Sequence, residues 1–269
     1  MSVSAPRSRP SLIDSIRVQL RVISALMIRQ GQAHYTQETL GFFWVIMEPL
    51  ILTCGVVLLW AVTNREGHHA GVNVFIMALT GYSHLQLWRL GVLSSLHITT
   101  DETWMFYHRN ITIADLVFAN VFMKSISVFT SFVILTTVWV LFGLIEPIRD
   151  PGLVLAAWCL DTLFVLSFAV LMAGLAGLSE YVSKLLHPAM YITLPVTGAF
   201  VMADWLPPSL KAIVNWVPLA NCCEMFRAGV LPLSVKTYWS VPLIVLSSLF
   251  LLAIGLPLLD YARKHVQPH

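Results

Sequence analysis

The chain has 269 residues, of which 57% are hydrophobic and only 11% are charged, whereas about a quarter are charged in an ordinary soluble domain. This composition excludes a soluble enzyme and leaves room for six or seven membrane crossings, because each needs about 20 apolar residues. The formal net charge of +2 is too small to indicate a nucleic-acid partner, and the four cysteines lack the spacing typical of a metal or redox site.

The first predicted element is an amphipathic helix over residues 11–30. Apolar residues recur there at steps of three and four, while Arg17 and Arg21 lie on another face. The apolar positions are Leu12, Ile13, Ile16, Leu20, Ile23 and Met27. A basic amphipathic helix of this kind lies in the membrane interface. The pattern fits both a lipid anchor and a helix that also packs on a partner.

Five long apolar runs and a shorter one are predicted to be membrane-crossing helices. The long runs span residues 42–63, 72–97, 114–144, 153–178 and 240–260. The shorter run, 187–203, contains Pro195 and Gly198 and is predicted to be a kinked or incomplete crossing. Residues 205–232 are broken by four prolines and are predicted to form two short helices that dip into one leaflet and return. The predicted fold is therefore an all-α integral membrane protein in which residues 1–269 form a single domain.

The segment between the second and third crossings, residues 99–110, is predicted to be a short cytoplasmic helix. Thr99 and Glu102 have capping-box spacing, and Arg109 falls in the last turn, where positive charge is favourable. Bulky residues follow one another in its middle, and so short a helix cannot bury them all on one face. They could pack on the chain's own helix ends or dock on a cytoplasmic partner. The candidate docking residues are Asp101, Glu102, Trp104, Phe106, Tyr107 and Arg109.

The second crossing carries polar residues at helical spacing inside an otherwise apolar run. The candidate pathway residues are Tyr82, Gln86, Arg89 and His97 on one face, with His84 and Trp88 on a neighbouring face. An arginine at membrane depth is costly unless it meets water or protein. One interpretation is a polar pathway in which Arg89 attracts anionic cargo. The other is that Arg89 pairs with Glu48 or Asp161 and joins helices, and that the histidines are packing residues.

Basic residues near the ends of the six crossings predict the orientation of the chain. The side that holds both termini carries the larger set, which includes Arg17, Arg21, Arg109, Lys124 and Lys184. Because cytoplasmic loops are enriched in Lys and Arg, both termini are predicted to be cytoplasmic. The broken segment 205–232 then lies on the outer face.

The chain contains no GxxxxGK[S/T] sequence and no arguable pair of catalytic carboxylates or Ser/His/Asp set. We therefore predict that it is not an enzyme, that it has no catalytic or metal site, and that it holds no cofactor of its own. If ATP drives transport, another chain must bind and hydrolyse it.

The sequence that opens the first crossing, Leu40-Gly41-Phe42-Phe43-Trp44-Val45-Ile46-Met47-Glu48-Pro49, resembles the Leu-Gly-x-x-Trp-x-x-x-Glu-Pro signature of type-2 ABC exporter permeases that move polysaccharides. The likeness covers essentially the whole chain. Residues 104–115 look like the family's coupling helix, and residues 216–232 look like its outer re-entrant segment. The residues that match the family motifs are Gly41, Trp44, Glu48, Pro49, Pro218, Glu224 and Arg227. The capsular-polysaccharide export permeases of Gram-negative bacteria are the most similar branch.

This resemblance implies a homodimer in the bacterial inner membrane that works with two ATPase subunits. Those subunits would bind ATP and Mg²⁺. The implied cargo is a long acidic glycan on a lipid anchor, and a periplasmic co-polymerase and outer-membrane export proteins would carry it onward.

Three alternatives remain open at this point. The same signature occurs in permeases for O-antigen or teichoic-acid type glycans, which differ in cargo charge. An ion-driven secondary transporter would require an internal repeat and buried titratable pairs at matching places in both halves. A membrane-embedded enzyme for lipid substrates would require carboxylates or histidines clustered at one depth. The sequence displays neither pattern.

Overall fold

The computed structural model describes residues 19, 21–28, 47, 50–56, 58, 59, 62, 68, 69, 72–96, 98 and 112–265. The signature residues Gly41, Trp44, Glu48 and Pro49, the pathway candidate His97 and the whole predicted coupling helix 99–110 lie outside these residues. The described part is mainly helical. A short antiparallel pair, β1 (His68–His69) and β2 (Val72–Asn73), precedes the first long helix.

The bounded helices are α1 (Val74–Leu96), α2 (Ile113–Leu141), α3 (Pro151–Leu178), α4 (Glu180–Ile192), α5 (Pro208–Val214), α6 (Pro218–Val230) and α7 (Val241–His265). Residues 21–28 and 50–56 are also helical. Two short 3-10 turns, Leu194–Thr197 and Ala203–Trp205, separate α4 from α5.

Local capping residues fix where two of the long helices begin. At the start of α2, the Thr112 side chain accepts a hydrogen bond from the Asp115 backbone N–H at 3.2 Å, and the Asp115 carboxylate accepts one from the Thr112 backbone N–H at 2.9 Å. This is a reciprocal capping box. At the start of α3, Asp150 accepts a hydrogen bond from the Leu153 backbone N–H at 3.0 Å, and Pro151 takes the first helical position, where its missing N–H costs nothing.

Among the described residues, α2, α3 and α7 are long and apolar enough to cross a membrane. One face of α7 exposes large apolar side chains, including Leu246, Leu249, Phe250 and Ile254. Lipid would cover such a face, since a bilayer is as apolar as the side chains themselves. The predicted helical membrane fold is therefore confirmed in outline. The number of six crossings stays a prediction.

Helix α3 lies at the centre of the described helices and contacts α1, α2, α6 and α7. Small residues let these helices approach closely. A Cβ atom at Gly91 of α1 would lie 2.6 Å from Cγ1 of Val165, and one at Gly255 of α7 would lie 2.9 Å from the backbone nitrogen of Leu171. Helix pairs in membranes associate through such close contacts between small residues.

The run predicted as a kinked or incomplete crossing is interrupted in the structure. Helix α4 has 13 residues and spans about 20 Å, which is shorter than the roughly 30 Å apolar core of a bilayer. It ends before the 3-10 turn that contains Pro195. The next residue after that turn, Gly198, has φ of +75°, a left-handed conformation that favours glycine.

The segment 205–232 contains the two short helices α5 and α6, as its prolines predicted. Their return into one leaflet stays a prediction. Helix α6 is buried from Leu219 to Val230, and it packs against α3.

The described part of the predicted interface helix packs on the protein. Ile23 and Leu26 are buried in the main hydrophobic core, whereas Ile28 is exposed. The Gln19 side chain donates a hydrogen bond to the Asp115 carboxylate at the start of α2. The helix therefore buries part of its apolar side in the chain's own core. Both predicted roles, a lipid anchor and a helix that packs on a partner, remain compatible with this packing.

Candidate functional site

Five of the six pathway candidates, Tyr82, His84, Gln86, Trp88 and Arg89, lie on α1. His84 forms a buried pair with α3. Its Nδ1 lies 2.7 Å from Oδ2 of Asp161, and both side chains are almost completely buried. Nε2 of His84 and Oδ1 of Asp161 have no hydrogen-bond partner among the described residues. Asp161, one of the two partners considered for Arg89, is therefore paired with a histidine instead. The contact joins α1 to α3 by a polar bond within an apolar interface.

Gln86 and Trp88 are also buried between helices. Thr53 donates a hydrogen bond from its hydroxyl to Oε1 of Gln86 at 3.1 Å, which ties α1 to the helical residues 50–56. Trp88 stacks on Phe164 of α3 with ring centroids 6.0 Å apart, and it contacts Phe168 at 4.7 Å. Nε2 of Gln86 and Nε1 of Trp88 have no partner in the described part of the chain.

Arg89 and Tyr82 lie on a more accessible side of α1 and are half-buried. The Arg89 guanidinium donates a hydrogen bond from Nη2 to the Tyr191 hydroxyl at 3.2 Å and lies 5.2 Å from the Tyr191 ring centroid. Tyr191 belongs to α4 and is itself exposed. The bond therefore links α1 to α4 and holds a positive charge at the protein surface.

The structure thus separates the pathway candidates into two groups. His84, Gln86 and Trp88 are enclosed by neighbouring helices of the same chain, whereas Tyr82 and Arg89 remain accessible. The sequence analysis missed Tyr191, since helical spacing relates residues within one helix and does not indicate which helix packs beside it.

A second polar cluster, which we call the α6 ladder, consists of Asn221, Glu224 and Arg227 on the buried helix α6. Arg227 is 0% exposed. Its guanidinium donates to the backbone carbonyls of Gly198 and Ala199 at 2.6 Å each, and to the Thr80 hydroxyl at 3.4 Å. The planar fork of arginine suits two acceptors that lie side by side. Arg227 therefore fixes the non-helical segment after Gly198 against α1.

The other two members of the α6 ladder hold the loop that precedes α7. Glu224 accepts hydrogen bonds from the backbone N–H groups of Ala203 at 3.0 Å and Tyr238 at 3.2 Å. Asn221 accepts one from the Ser240 N–H at 2.9 Å. The Asn221 amide also donates to the carbonyls of Asn215 and Val217 at 2.9 Å. One buried helix thus ties together the separate non-helical segments around residues 198–203, 215–217 and 238–240.

A surface cluster reinforces this arrangement. Lys211 Nζ lies 3.1 Å from Oδ1 of Asp204, the Tyr238 hydroxyl donates to the same oxygen at 3.2 Å, and the ammonium lies 3.6 Å from the Tyr238 ring centroid. The hydrogen bond from Lys211 lowers the pKa of Asp204. Hydrogen bonding to Tyr238 and to Asp204 raises the pKa of Lys211. The two charged forms therefore stabilise each other at neutral pH.

Glu224 and Arg227 were singled out only through the family motif, and their roles came from the structure. Their partners are mostly backbone atoms, which carry no sequence signal. Asn221 was missed, although its spacing of three residues from Glu224 places the two on neighbouring turns of α6.

Comparison with known proteins shows relatives along the whole chain. The capsule polysaccharide export inner-membrane protein BexB of Haemophilus influenzae is 29% identical over 255 residues, which cover 95% of this chain and 96% of the relative. The protein CtrC, described in the same words, is 29% identical over 260 residues in Neisseria meningitidis serogroup B. In serogroup A it is 30% identical over 260 residues, which cover 97% of this chain and 98% of the relative.

No protein-family model matches the chain. The relatives nevertheless match it from end to end at up to 30% identity, and they confirm the resemblance to capsular-polysaccharide export permeases that the motifs indicated. The chain belongs to the family of capsule polysaccharide export inner-membrane proteins.

Proposed function

We propose that this chain is the transmembrane permease subunit of an ATP-driven exporter that moves lipid-linked acidic capsular polysaccharide across the bacterial inner membrane. The observation that carries the proposal is the match to capsule polysaccharide export proteins over 97% of this chain and 98% of each of two relatives. The apolar helices α2, α3 and α7 support a multi-pass membrane location.

The proposal includes partners outside this chain. Two copies would form the permease, and two ATPase subunits would bind ATP and Mg²⁺, while this chain itself would hold no cofactor. A periplasmic co-polymerase and outer-membrane export proteins would receive the glycan. In this mechanism, closure of the ATPase subunits pushes the coupling helix at residues 99–110. The movement reorients the crossings and advances the glycan past Arg89 and the neighbouring pathway residues.

Restoration of export tests the function itself. The gene for this chain is deleted from its native host, and the protein is then expressed from a plasmid. We expect surface capsule to return only when the host's ATPase subunit can hydrolyse ATP. Capsule that returns with a hydrolysis-deficient ATPase would contradict the proposal, as would a membrane-inserted wild-type protein that fails to restore export.

The ATPase interaction has its own test. The chain is purified in mild detergent from the same cells, either unchanged or with Trp104, Phe106 and Tyr107 replaced by alanine. We expect the ATPase subunit to co-purify with the unchanged chain and to be lost from the triple variant. Trp216→Ala is the matched control, because Trp216 is 77% exposed but lies in the segment assigned to the outer face. Loss of the ATPase from this control as well would contradict a docking role for the loop.

The role of Arg89 can be separated from its contact with Tyr191. Arg89→Ala removes the charge, whereas Tyr191→Phe removes only the hydroxyl that accepts the Arg89 hydrogen bond. If Arg89 attracts anionic cargo, Arg89→Ala lowers export of acidic glycan while the complex still assembles, and Tyr191→Phe exports normally. If Arg89 instead joins α1 to α4, both variants reduce the amount of assembled complex.

The proposed topology has six crossings, with both termini in the cytoplasm. Single cysteines at two exposed positions test it, in a chain whose own cysteines are replaced. Leu233 is 84% exposed and Tyr181 is 80% exposed, and the topology puts them on opposite sides. A membrane-impermeant thiol reagent added to intact spheroplasts should label Leu233→Cys and spare Tyr181→Cys. Equal labelling of both would refute this arrangement.

One observation favours a second candidate function, an ion-driven secondary transporter. His84 and Asp161 form the kind of buried titratable pair that proton-coupled transport uses. Such a transporter would respond to a proton gradient without ATP. Transport of glycan in vesicles that lack the ATPase subunit, driven by an imposed pH gradient and abolished in His84→Gln, would support this candidate over the exporter.

A glycan of the O-antigen or teichoic-acid type is the alternative cargo within the exporter class. Arg89 favours the acidic capsular cargo, because a half-buried cation attracts negative charge more strongly than one in bulk water. Parallel export assays with an acidic and a neutral glycan distinguish these cargoes. An equal effect of Arg89→Ala on both would contradict the acidic specificity.

A further inference from the structure

A cleft of about 440 Å³ opens between the end of α5 and the loop that precedes α7. Its volume falls within the roughly 300–1,000 Å³ typical of small-molecule sites. The lining residues are Asn215, Asn221, Thr237, Tyr238, Trp239 and Ser240. We call it the outer cleft, because the proposed topology places it on the periplasmic face.

The walls of the outer cleft are held in place by buried hydrogen bonds. Asn221 binds the Asn215 carbonyl on one side and the Ser240 N–H on the other. Glu224 holds the Tyr238 backbone, and Asp204 accepts the Tyr238 hydroxyl. A cleft whose walls are already fixed loses little conformational entropy when a ligand binds. The site is therefore preformed, and a ligand need not assemble it.

The groups that face the outer cleft suit a carbohydrate. Trp239 is 41% exposed and offers an aromatic face for the apolar C–H side of a sugar ring. The side chains of Asn215, Thr237 and Ser240 make no hydrogen bond to another described residue, so their amide and hydroxyl groups can serve the hydroxyls of a sugar. A site with an aromatic surface and a few convergent polar groups is typical of small-ligand recognition.

The charge around the outer cleft favours an acidic sugar. Lys211 lies 3.6 Å from the ring centroid of Tyr238, which lines the cleft, and Lys236 directly precedes the lining residue Thr237. Because Asp204 balances only one of these two cations, one positive charge is left over near the rim. An anionic ligand is attracted by such an excess.

We propose that the outer cleft is a saccharide-binding subsite that holds an acidic sugar unit of the glycan as it leaves the membrane. This inference rests on the proposed export function and adds to it a binding site distinct from Arg89. Trp239 supplies the stacking surface, and Asn215, Thr237 and Ser240 supply hydrogen bonds. Asn221, which also lines the cleft, joins Glu224 and Asp204 in holding the walls in position.

The competing explanation is that Trp239 anchors the chain at the membrane surface. Tryptophan is enriched at membrane interfaces for reasons unrelated to ligands. Trp216 provides the matched control, since it is more exposed than Trp239, lies on the same side of the membrane in the proposed topology and does not line the cleft. An anchoring role would affect both tryptophans alike, whereas a binding role concerns Trp239 alone.

The first experiment places a photo-crosslinking residue in cells that export capsule. Trp239→p-benzoylphenylalanine and Trp216→p-benzoylphenylalanine are irradiated, and the purified chain is stained for carbohydrate with periodate. We expect stained adducts from position 239 and none from position 216. Adducts with protein instead of carbohydrate at position 239 would overturn the proposal in favour of a protein partner, and the absence of any adduct would also overturn it.

The second experiment measures the initial rate of capsule export in the deletion host. We expect Trp239→Ala to export about tenfold more slowly, if the rate falls in proportion to the affinity lost with an aromatic anchor, whereas Trp239→Phe keeps most of the rate and Trp216→Ala exports normally. Membrane levels of each variant are measured in parallel. If Trp239→Ala exports at the wild-type rate, the proposed subsite is wrong, although export by the wild type still supports the proposed function. Failure of the wild type to restore export would instead refute that function.

Discussion

Arg227→Met tests whether the α6 ladder holds the outer segments together. The substitution keeps a long apolar side chain but removes the guanidinium, which donates to the carbonyls of Gly198 and Ala199 at 2.6 Å. Both carbonyls then lose a strong donor at a site where Arg227 itself is 0% exposed. Glu224, one turn earlier on α6, also loses a neighbouring positive charge.

The size of the effect follows from these contacts. A buried acceptor left without its donor costs about 1–3 kcal/mol, so the two carbonyls together give roughly 2–6 kcal/mol. Removal of one member of a buried charged arrangement costs about 3–5 kcal/mol. We therefore expect Arg227→Met to lower the free energy of unfolding by about 3–5 kcal/mol. Arg227→Lys should fall between this variant and the wild type, since one ammonium lacks the planar fork.

The free energy of unfolding is measured by titration of detergent-purified protein with sodium dodecyl sulfate, followed by circular dichroism. Lys211→Met is the control, because it breaks an accessible pair with Asp204, and solvent-exposed ion pairs contribute little to the free energy of unfolding. Two results would refute the reasoning. One is an Arg227→Met variant within about 1 kcal/mol of the wild type. The other is a control that costs as much as Arg227→Met.

Two further predictions concern the same outer region. Gly81→Ala should lower the free energy of unfolding by about 1–3 kcal/mol, because its Cβ would lie 1.9 Å from the Ala199 carbonyl oxygen. Gly55→Ala, whose Cβ would meet no atom of the described residues within 4 Å, should be neutral or slightly stabilising in the same titration. Lys211 lowers the pKa of Asp204 in the folded protein. The Asp204 carboxylate therefore stabilises the folded state at pH values above its unfolded pKa of about 3.9. This contribution is lost as the pH falls through the lower pKa of the folded state. The difference in melting temperature between wild type and Asp204→Asn should therefore shrink in acid, and a constant difference would contradict the assignment.

The extents of the long helices could be read from the sequence. The apolar runs 114–144, 153–178 and 240–260 correspond closely to α2 (113–141), α3 (151–178) and α7 (241–265). Apolar runs of this length are strong signals, since they reflect the thickness of a bilayer. Thr112 and Asp150 set the starts of α2 and α3 through contacts within four residues, so local chemistry suffices there.

The contacts between elements could not be read in the same way. Arg227 binds backbone carbonyls 28 and 29 residues away. Every residue has such a carbonyl, so the sequence does not indicate which ones serve as acceptors. Arg89 meets Tyr191 across 102 positions of sequence. Helical periodicity places residues on a face but does not identify the neighbour of that face. Gln86 was therefore predicted to share an accessible face with Tyr82 and Arg89, whereas the fold encloses it.

The α6 ladder and the pathway candidates on α1 differ in whether their buried polar atoms have hydrogen-bond partners. Native proteins leave few buried polar groups without partners. The members of the α6 ladder follow this rule, as expected for residues that hold neighbouring segments in place. Helix α1 departs from it. Within the described residues, buried nitrogens without a partner occur at His84, Gln86, Trp88 and Arg89. Each unpaired group carries a desolvation cost. Arg89 is the one of these four residues that remains accessible, so we expect cargo or the second copy to meet its guanidinium, whereas His84, Gln86 and Trp88 are enclosed by the chain itself. The proposed pathway along α1 and the hydrogen-bonded outer segments around α6 would then have separate roles.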